Sequence, residues 1–248
     1  MAGFPTETFE NLDNWTEIGP GGRYSISSNQ LLITPNADTQ HTAIIYDTPV
    51  SSLKQHAKVQ LIGWTGGGTY GPRLVFRRTG GAGEKFYQVG VENQTPTRVR
   101  WSYGTDDADL APAADIQNDG YFGASFVEGD WLGAEVSGTG DATVVKVWRW
   151  TADPGDYDEA FTNWGSPDVT YETNPGANAC DTGLYIGLYC YFNSYSGRTT
   201  TVDNFTGGPG GVTAALTGTA MASITEADVV SGDKTIIITL TGDEWISN

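Results

Sequence analysis

Lys and Arg together number only 13 in this chain of 248 residues, yet Arg73, Arg77, Arg98 and Arg100 fall within three consecutive extended segments, beside Gln88 and Glu92. Forked guanidinium donors, an amide and a carboxylate are groups that grip hydroxyl-rich sugar rings. Whether they meet depends on the two-residue alternation of strands. In 73–78 that alternation turns Leu74 and Phe76 one way and Arg73, Val75 and Arg77 the other. In 86–92 it opposes Tyr87, Val89 and Val91 to Phe86, Gln88, Gly90 and Glu92. Val99, Trp101 and Tyr103 then face a core and Arg100 faces out. In 184–192, Leu184, Ile186, Leu188 and Cys190 face inward, while Tyr185, Gly187, Tyr189 and Tyr191 face outward and add rings on which a sugar can stack. The candidate ligand-binding set is therefore Arg73, Arg77, Gln88, Glu92, Arg100, Tyr185, Tyr189 and Tyr191. The competing reading is an arginine–glutamate ladder on a solvated sheet face, and a slip of one residue would invert every assignment.

The elements that must position these groups are short alternating runs: 30–33, 42–46, 57–64, 73–78, 86–92, 99–103, 121–127, 131–137, 143–151, 184–192 and 200–205. Gly, Pro, Asn and Asp clusters bound them, such as Gly66-Gly67-Gly68 and Gly138-Thr139-Gly140-Asp141. That pattern predicts an all-β fold, two antiparallel sheets packed as a sandwich. Phe9-Glu10-Asn11-Leu12-Asp13-Asn14-Trp15 near the start and Asp203-Asn204-Phe205 near the end read as first and last strands lying side by side. Domain boundaries follow from composition: a sandwich over 1–206, a linker over 207–211 (Gly207-Gly208-Pro209-Gly210-Gly211), and a short β segment over 212–248. The last carries an apolar strand, Lys234–Leu240, that invites pairing with another protein subunit.

With 30 Asp and Glu against 13 Lys and Arg, the net charge of −17 repels phosphate backbones, and no nucleic-acid partner is expected. The longest apolar runs are too short to span a bilayer, so no membrane insertion is expected, and Met1–Pro5 lacks the features of a signal peptide. Cys180 and Cys190 are separated by a largely extended segment, which puts a disulfide between them out of reach. Two Cys and two His do not suffice for a structural zinc site.

On Phe9…Trp15, Gly71-Pro72-Arg73-Leu74-Val75-Phe76-Arg77, Phe86-Tyr87-Gln88-Val89-Gly90-Val91, Gly129-Asp130-Trp131-Leu132-Gly133-Ala134-Glu135-Val136-Ser137-Gly138, Gly183-Leu184-Tyr185-Ile186-Gly187-Leu188 and Val202-Asp203-Asn204-Phe205, residues 4–209 resemble a concanavalin A-like lectin/glucanase domain of the laminin-G type. The tail resembles the start of an Ig-like module of the kind found in modular surface and phage proteins. The resemblance implies a jelly-roll sandwich. Its glucanases carry paired carboxylates at alternate positions of one strand, and no such run occurs here, so catalysis is not expected. It also implies calcium near the terminal strands, with Glu10, Asp13 and Asp203 as candidate ligands and the loop 153–159 as the alternative. The expectation is a non-catalytic, extracellular or virion-associated module that binds a glycan or polysaccharide. The rival is a structural assembly protein such as a phage tail or capsid decoration.

Overall fold

The computed structural model describes residues 6–18, 23–34, 40–65, 70–79, 85–92, 97–105, 112–157, 163–172, 175, 179–192 and 199–210. Frequent turns and β-branched or aromatic alternation leave little room for helix, and among the described residues the only helical element is a 3₁₀ turn at Gly140–Ala142. The strands are β1 (Trp15–Ile18), β2 (Tyr24–Ser27), β3 (Gln30–Ile33), β4 (Gln40–Tyr46), β5 (Gln55–Thr65), β6 (Tyr70–Arg78), β7 (Lys85–Glu92), β8 (Arg98–Thr105), β9 (Pro112–Tyr121), β10 (Trp131–Ser137), β11 (Val144–Trp150), β12 (Val169–Glu172), β13 (Tyr185–Phe192) and β14 (Thr199–Pro209). They form two antiparallel seven-stranded sheets, ordered β1-β4-β13-β6-β7-β8-β9 and β12-β11-β10-β5-β14-β3-β2. The architecture is a jelly-roll sandwich.

Between the sheets lies one apolar core. Leu74, Phe76, Tyr87, Val89, Trp101 and Leu188 face Leu31, Val59, Leu61, Leu132, Val145 and Val202 across it. Each such side chain contributes about 1.5–3 kcal/mol by leaving water. The expected first and last strands do not lie side by side, since β1 pairs with β4 in the first sheet and β14 lies in the second. The two ends of the sandwich meet instead through an isolated bridge, in which Glu7 and Phe205 exchange backbone hydrogen bonds of 2.7 and 3.1 Å, and the Trp15 ring lies 5.2 Å from that of Phe205. Strict alternation would send Phe205 outward from Val202. A bulge in the pairing of β14 with β5, between Asp203 and Thr206, with Asn204 at φ 52°, restores it to the core.

Two expectations are corrected here. Gly207-Gly208-Pro209 is not linker: it continues β14, paired with Ala57, His56 and Gln55. Gly207 serves close packing, since a β-carbon there would lie 2.6 Å from Ile186 Cδ1 and 2.7 Å from the His56 carbonyl. Similarly, 121–127 is not a strand; β9 ends at Tyr121, and Phe122 and Phe126 tuck into the core from the loop that follows. The chain divides into two compact units, Met1–Gly211 and Val212–Asn248. The expected strand Lys234–Leu240 lies outside the described residues. No helix among the described residues is long and apolar enough to cross a membrane.

Candidate functional site

On the outward face of the first sheet, register brings the expected polar groups together. Across β7 and β8, Gln88 stands opposite Ser102, Gly90 opposite Arg100, and Glu92 opposite Arg98; across β6 and β7, Arg73 stands opposite Gly90. Gly90 matters because a β-carbon there would meet Arg73 Cγ at 2.2 Å. Its absence lets the Arg73 stem lie across β7, where Nη1 donates to Gln88 Oε1 at 3.1 Å and Nη2 lies 3.8 Å from Glu92. Glu92 also pairs with Arg100 at 2.7 Å and Arg98 at 3.6 Å. Three guanidiniums thus converge on one carboxylate.

The face opens in one direction. Arg73, Gln88, Glu92 and Ser102 are all buried, Arg98 and Arg100 are 19% and 20% exposed, and Tyr121, opposite Arg98 on β9, is 48% exposed. The polar set therefore runs from a buried floor on β6–β7 to an accessible lip on β8–β9. Within the floor, Gln88 Nε2 and Ser102 Oγ have no hydrogen-bond partner.

The sequence-based candidates divide accordingly. Arg73, Gln88, Glu92 and Arg100 come together as expected. Tyr189 is fully buried among Val75, Phe86, Ala43 and Ile45, with the Arg73 guanidinium 5.7 Å from its ring centroid. Tyr185 packs against the edge of that cluster. The Tyr191 side chain lies outside the described residues.

Arg77 is a correction: it does not share the outer face. β6 carries an extra residue relative to β13 between Val75 and Arg78, and Arg77 adopts φ 57°, so the bulge turns its side chain inward. There its Nε donates to the Leu53 carbonyl at 2.8 Å, Nη2 to Gly138 at 2.6 Å, and Nη1 to Cys180 and Asp181 at 3.4 Å. Fully buried, it ties both sheets and the 180–183 loop together.

The terminal carboxylates do not form a calcium cage among the described residues. Glu10 and Asp13 are exposed. Asp203 accepts the Asn204 N–H at 2.7 Å, and burial raises its pKa. Glu7, which sits at the junction itself, is taken by N–H donors from Phe9 and the Trp15 indole. In the alternative loop, Asp153 is engaged by the Lys58 ammonium.

Sequence reasoning missed a second polar grouping, on the outward face of the other sheet. His56 and Lys58 on β5, Glu135 on β10 and Lys146 and Trp148 on β11 share that face. A strap between β11 and β12 closes over them. Tyr157 donates to Glu135 and its ring lies 4.5 Å from that of His56. Gly155 accepts from Lys58 at 2.9 Å and from Trp164 at 3.2 Å, while Gly165 accepts from Trp148 at 3.0 Å. Lys54 and Lys146 lie 3.8 and 3.6 Å from Glu135. The alternation of His56, Lys58 and Gln60 with Ala57 and Val59 held the signal for this face. The aromatic residues in the strap, Tyr157 and Trp164, held the signal for its cover.

No protein-family model matches the chain, and no curated protein matches it in sequence. Solved structures match its fold. The calcium-bound exoplasmic/lumenal domain of VIP36 is 13% identical, covering 84% of this chain and 90% of that one with a TM-score of 0.51. A legume lectin-like domain from Entamoeba histolytica is also 13% identical, over 80% and 91% of the two chains, at 0.48. The alginate lyase Aly36B, solved with an alginate trisaccharide, is 11% identical over 80% and 88%, at 0.43. The fold is that of the concanavalin A-like, legume-lectin-like sandwiches. Likeness at this level fixes architecture and not ligand.

Proposed function

We propose that the sandwich is a non-catalytic carbohydrate-binding module of an extracellular protein, with its ligand on the outward face of β7, β8 and β9. One observation carries the reading: an exposed aromatic ring, Tyr121, stands opposite Arg98, which with Arg100 further along β8 is partly exposed and leads to a floor where Gln88 and Ser102 hold unpartnered polar atoms. A ring for stacking beside planar donors suits a sugar better than an apolar ligand. Glu92 and Tyr189 position the arginines, and Tyr185 and Tyr191 would extend the face along β13.

Catalysis by paired carboxylates has little support. Among the described side chains, the buried outward-facing acids Glu92 and Glu135 sit on opposite sides of the sandwich, whereas glycoside cleavage requires two carboxyl groups flanking one bond. Calcium has no part in this reading: Asp203 accepts the Asn204 N–H, and Glu10 and Asp13 are exposed. The competing reading, a structural assembly component, would use this face or the 212–248 segment for subunit contact.

A glycan array on the full chain and an Arg100→Ala variant separates the two. Arg100 is partly exposed, and Glu92 keeps Arg73 and Arg98 when it is removed, so the variant should fold. Saturable binding weakened at least about tenfold in the variant is expected, the loss of one charged hydrogen bond. Assembly into a defined oligomer with no glycan bound would overturn the proposal.

A further inference from the structure

Gln88 and Ser102 constrain the ligand further. An arginine only donates hydrogen bonds, so the contact from Arg73 Nη1 to Gln88 Oε1 fixes the amide: its oxygen faces Arg73 and its NH₂ faces away. That NH₂ is fully buried without a partner, as is the Ser102 hydroxyl directly across the strand pair. Opposed residues hold their β-carbons roughly 5 Å apart, close enough for both groups to reach one small acceptor. A buried donor left unmet costs about 1–3 kcal/mol, a cost that a bound acceptor removes.

The chemistry of that acceptor follows from what surrounds it. Arg73 and Arg100 flank Gly90 on the same face, and apart from the Ser102 oxygen, which can also accept, these groups are donors. Glu92, the acceptor nearby, sits among three guanidiniums. A sugar hydroxyl seated here would find several donors and, among the described side chains beside Glu92, only the Ser102 oxygen to accept its proton. An ionised carboxylate accepts only, presents two oxygens in a plane, and forms charge-assisted hydrogen bonds. We infer that the saccharide recognised on this face is acidic, with the carboxylate of a uronic acid residue seated on Gln88 and Ser102 between Arg73 and Arg100. This rests on the reading of the face as a glycan site.

The experiment is calorimetric titration of the full chain, wild type and two variants, with tetrasaccharides of mannuronate, guluronate, galacturonate and glucuronate, and with the same oligosaccharides after reduction of their carboxyl groups. Gln88→Glu retains an oxygen for Arg73, so the fold is kept, but it sets a like charge against the ligand. Ser102→Ala removes the second donor. At least one uronate series should bind, with affinity falling about 30-fold or more on carboxyl reduction and on Gln88→Glu, and about 3- to 10-fold in Ser102→Ala. If reduced and acidic sugars bind alike, or Gln88→Glu leaves uronate affinity unchanged, the inference falls and the glycan reading stands. Binding of sulfated glycans without uronates also overturns it. If no saccharide of either kind binds here or on the array, both fall.

Discussion

The two sheets turn different outward faces to their surroundings, although each buries charge. On β5, β10 and β11 most buried groups are matched by their cover, although His56 Nδ1 and Glu135 Oε1 have no hydrogen-bond partner. Lys58 meets Asp153 and Gly155, Glu135 meets Tyr157 with Lys54 and Lys146 close by, and the tryptophan N–H groups find strap carbonyls. On β6, β7 and β8 the pairing stops short: Gln88 Nε2 and Ser102 Oγ are buried without partners, and exposure rises toward Arg100 and Tyr121. Buried polar groups are normally satisfied. Both faces leave buried polar atoms unmet, so the difference lies in access: the covered face is structural, and the face whose unmet donors lead to an open edge is the candidate site.

The largest effect that sharpens this contrast belongs to a residue that seems to sit on the open face and does not. Arg77→Ala should destabilise the fold by roughly 3–5 kcal/mol, the usual consequence of removing one member of a buried charged network, because the carbonyls of Leu53, Gly138 and Cys180 all lose their donor. Chemical denaturation monitored by tryptophan fluorescence measures it. A loss below about 1 kcal/mol would return Arg77 to the candidate site.

The Arg77 result also shows where sequence reading reached its limit. Period-two alternation placed Arg73, Gln88, Glu92 and Arg100 together on the outward side of the first sheet, and Leu74, Tyr87, Val89 and Trp101 inside, because regular pairing preserves facing along a strand. One extra residue in β6 defeated it at Arg77, and a bulge depends on the partner strand's register, which no local pattern records. The same holds for Gly207-Gly208-Pro209, where composition reads as flexibility and packing against Ile186 supplies the actual reason. Ser102 and Tyr121 escaped notice because nothing about a lone serine or tyrosine announces that its cross-strand neighbour will be Gln88 or Arg98.

A second prediction concerns the closed face. Burial, with Lys54 and Lys58 nearby, lowers the His56 pKa from 6.5 to about 4. The Pro209 backbone, which favours the charged ring, offsets only part of this. The unfolded ring titrates at its ordinary value, so the native state holds His56 neutral and disfavours its proton. Stability tied to this group is fully present above pH 6.5 and is lost as pH falls from 6.5 through 4. The total is on the order of 3 kcal/mol. Glu135, Asp153, Lys146 and Tyr157 face the same cluster, so the test is a difference: unfolding free energies of wild type and His56→Gln compared from pH 7 to pH 4. The wild type should lose more than the variant across that window. Parallel curves would mean the strap tolerates a charged imidazole, and the closed face would no longer stand apart as a fixed structure.

The smallest effect on stability, and the most telling for the open face, is expected at Tyr121. Its ring is 48% exposed at the end of β9, and no ring stacking or side-chain hydrogen bond to a described residue anchors it, so Tyr121→Ala should change the unfolding free energy by less than about 0.5 kcal/mol, the range of ordinary surface substitutions. Binding should respond differently. An aromatic platform under a sugar contributes about 0.5–1.5 kcal/mol beyond the area it covers, so glycan affinity should fall roughly 3- to 10-fold. Tyr121→Phe should retain most of it, because stacking uses the ring and not the hydroxyl. Loss of stability without loss of binding would reverse the assignment and make Tyr121 a structural residue of the edge strand. Loss of binding alone places the ligand at the lip between β8 and β9, four residues along β8 from Ser102, a separation of about 13 Å that a short oligosaccharide spans and a single sugar does not.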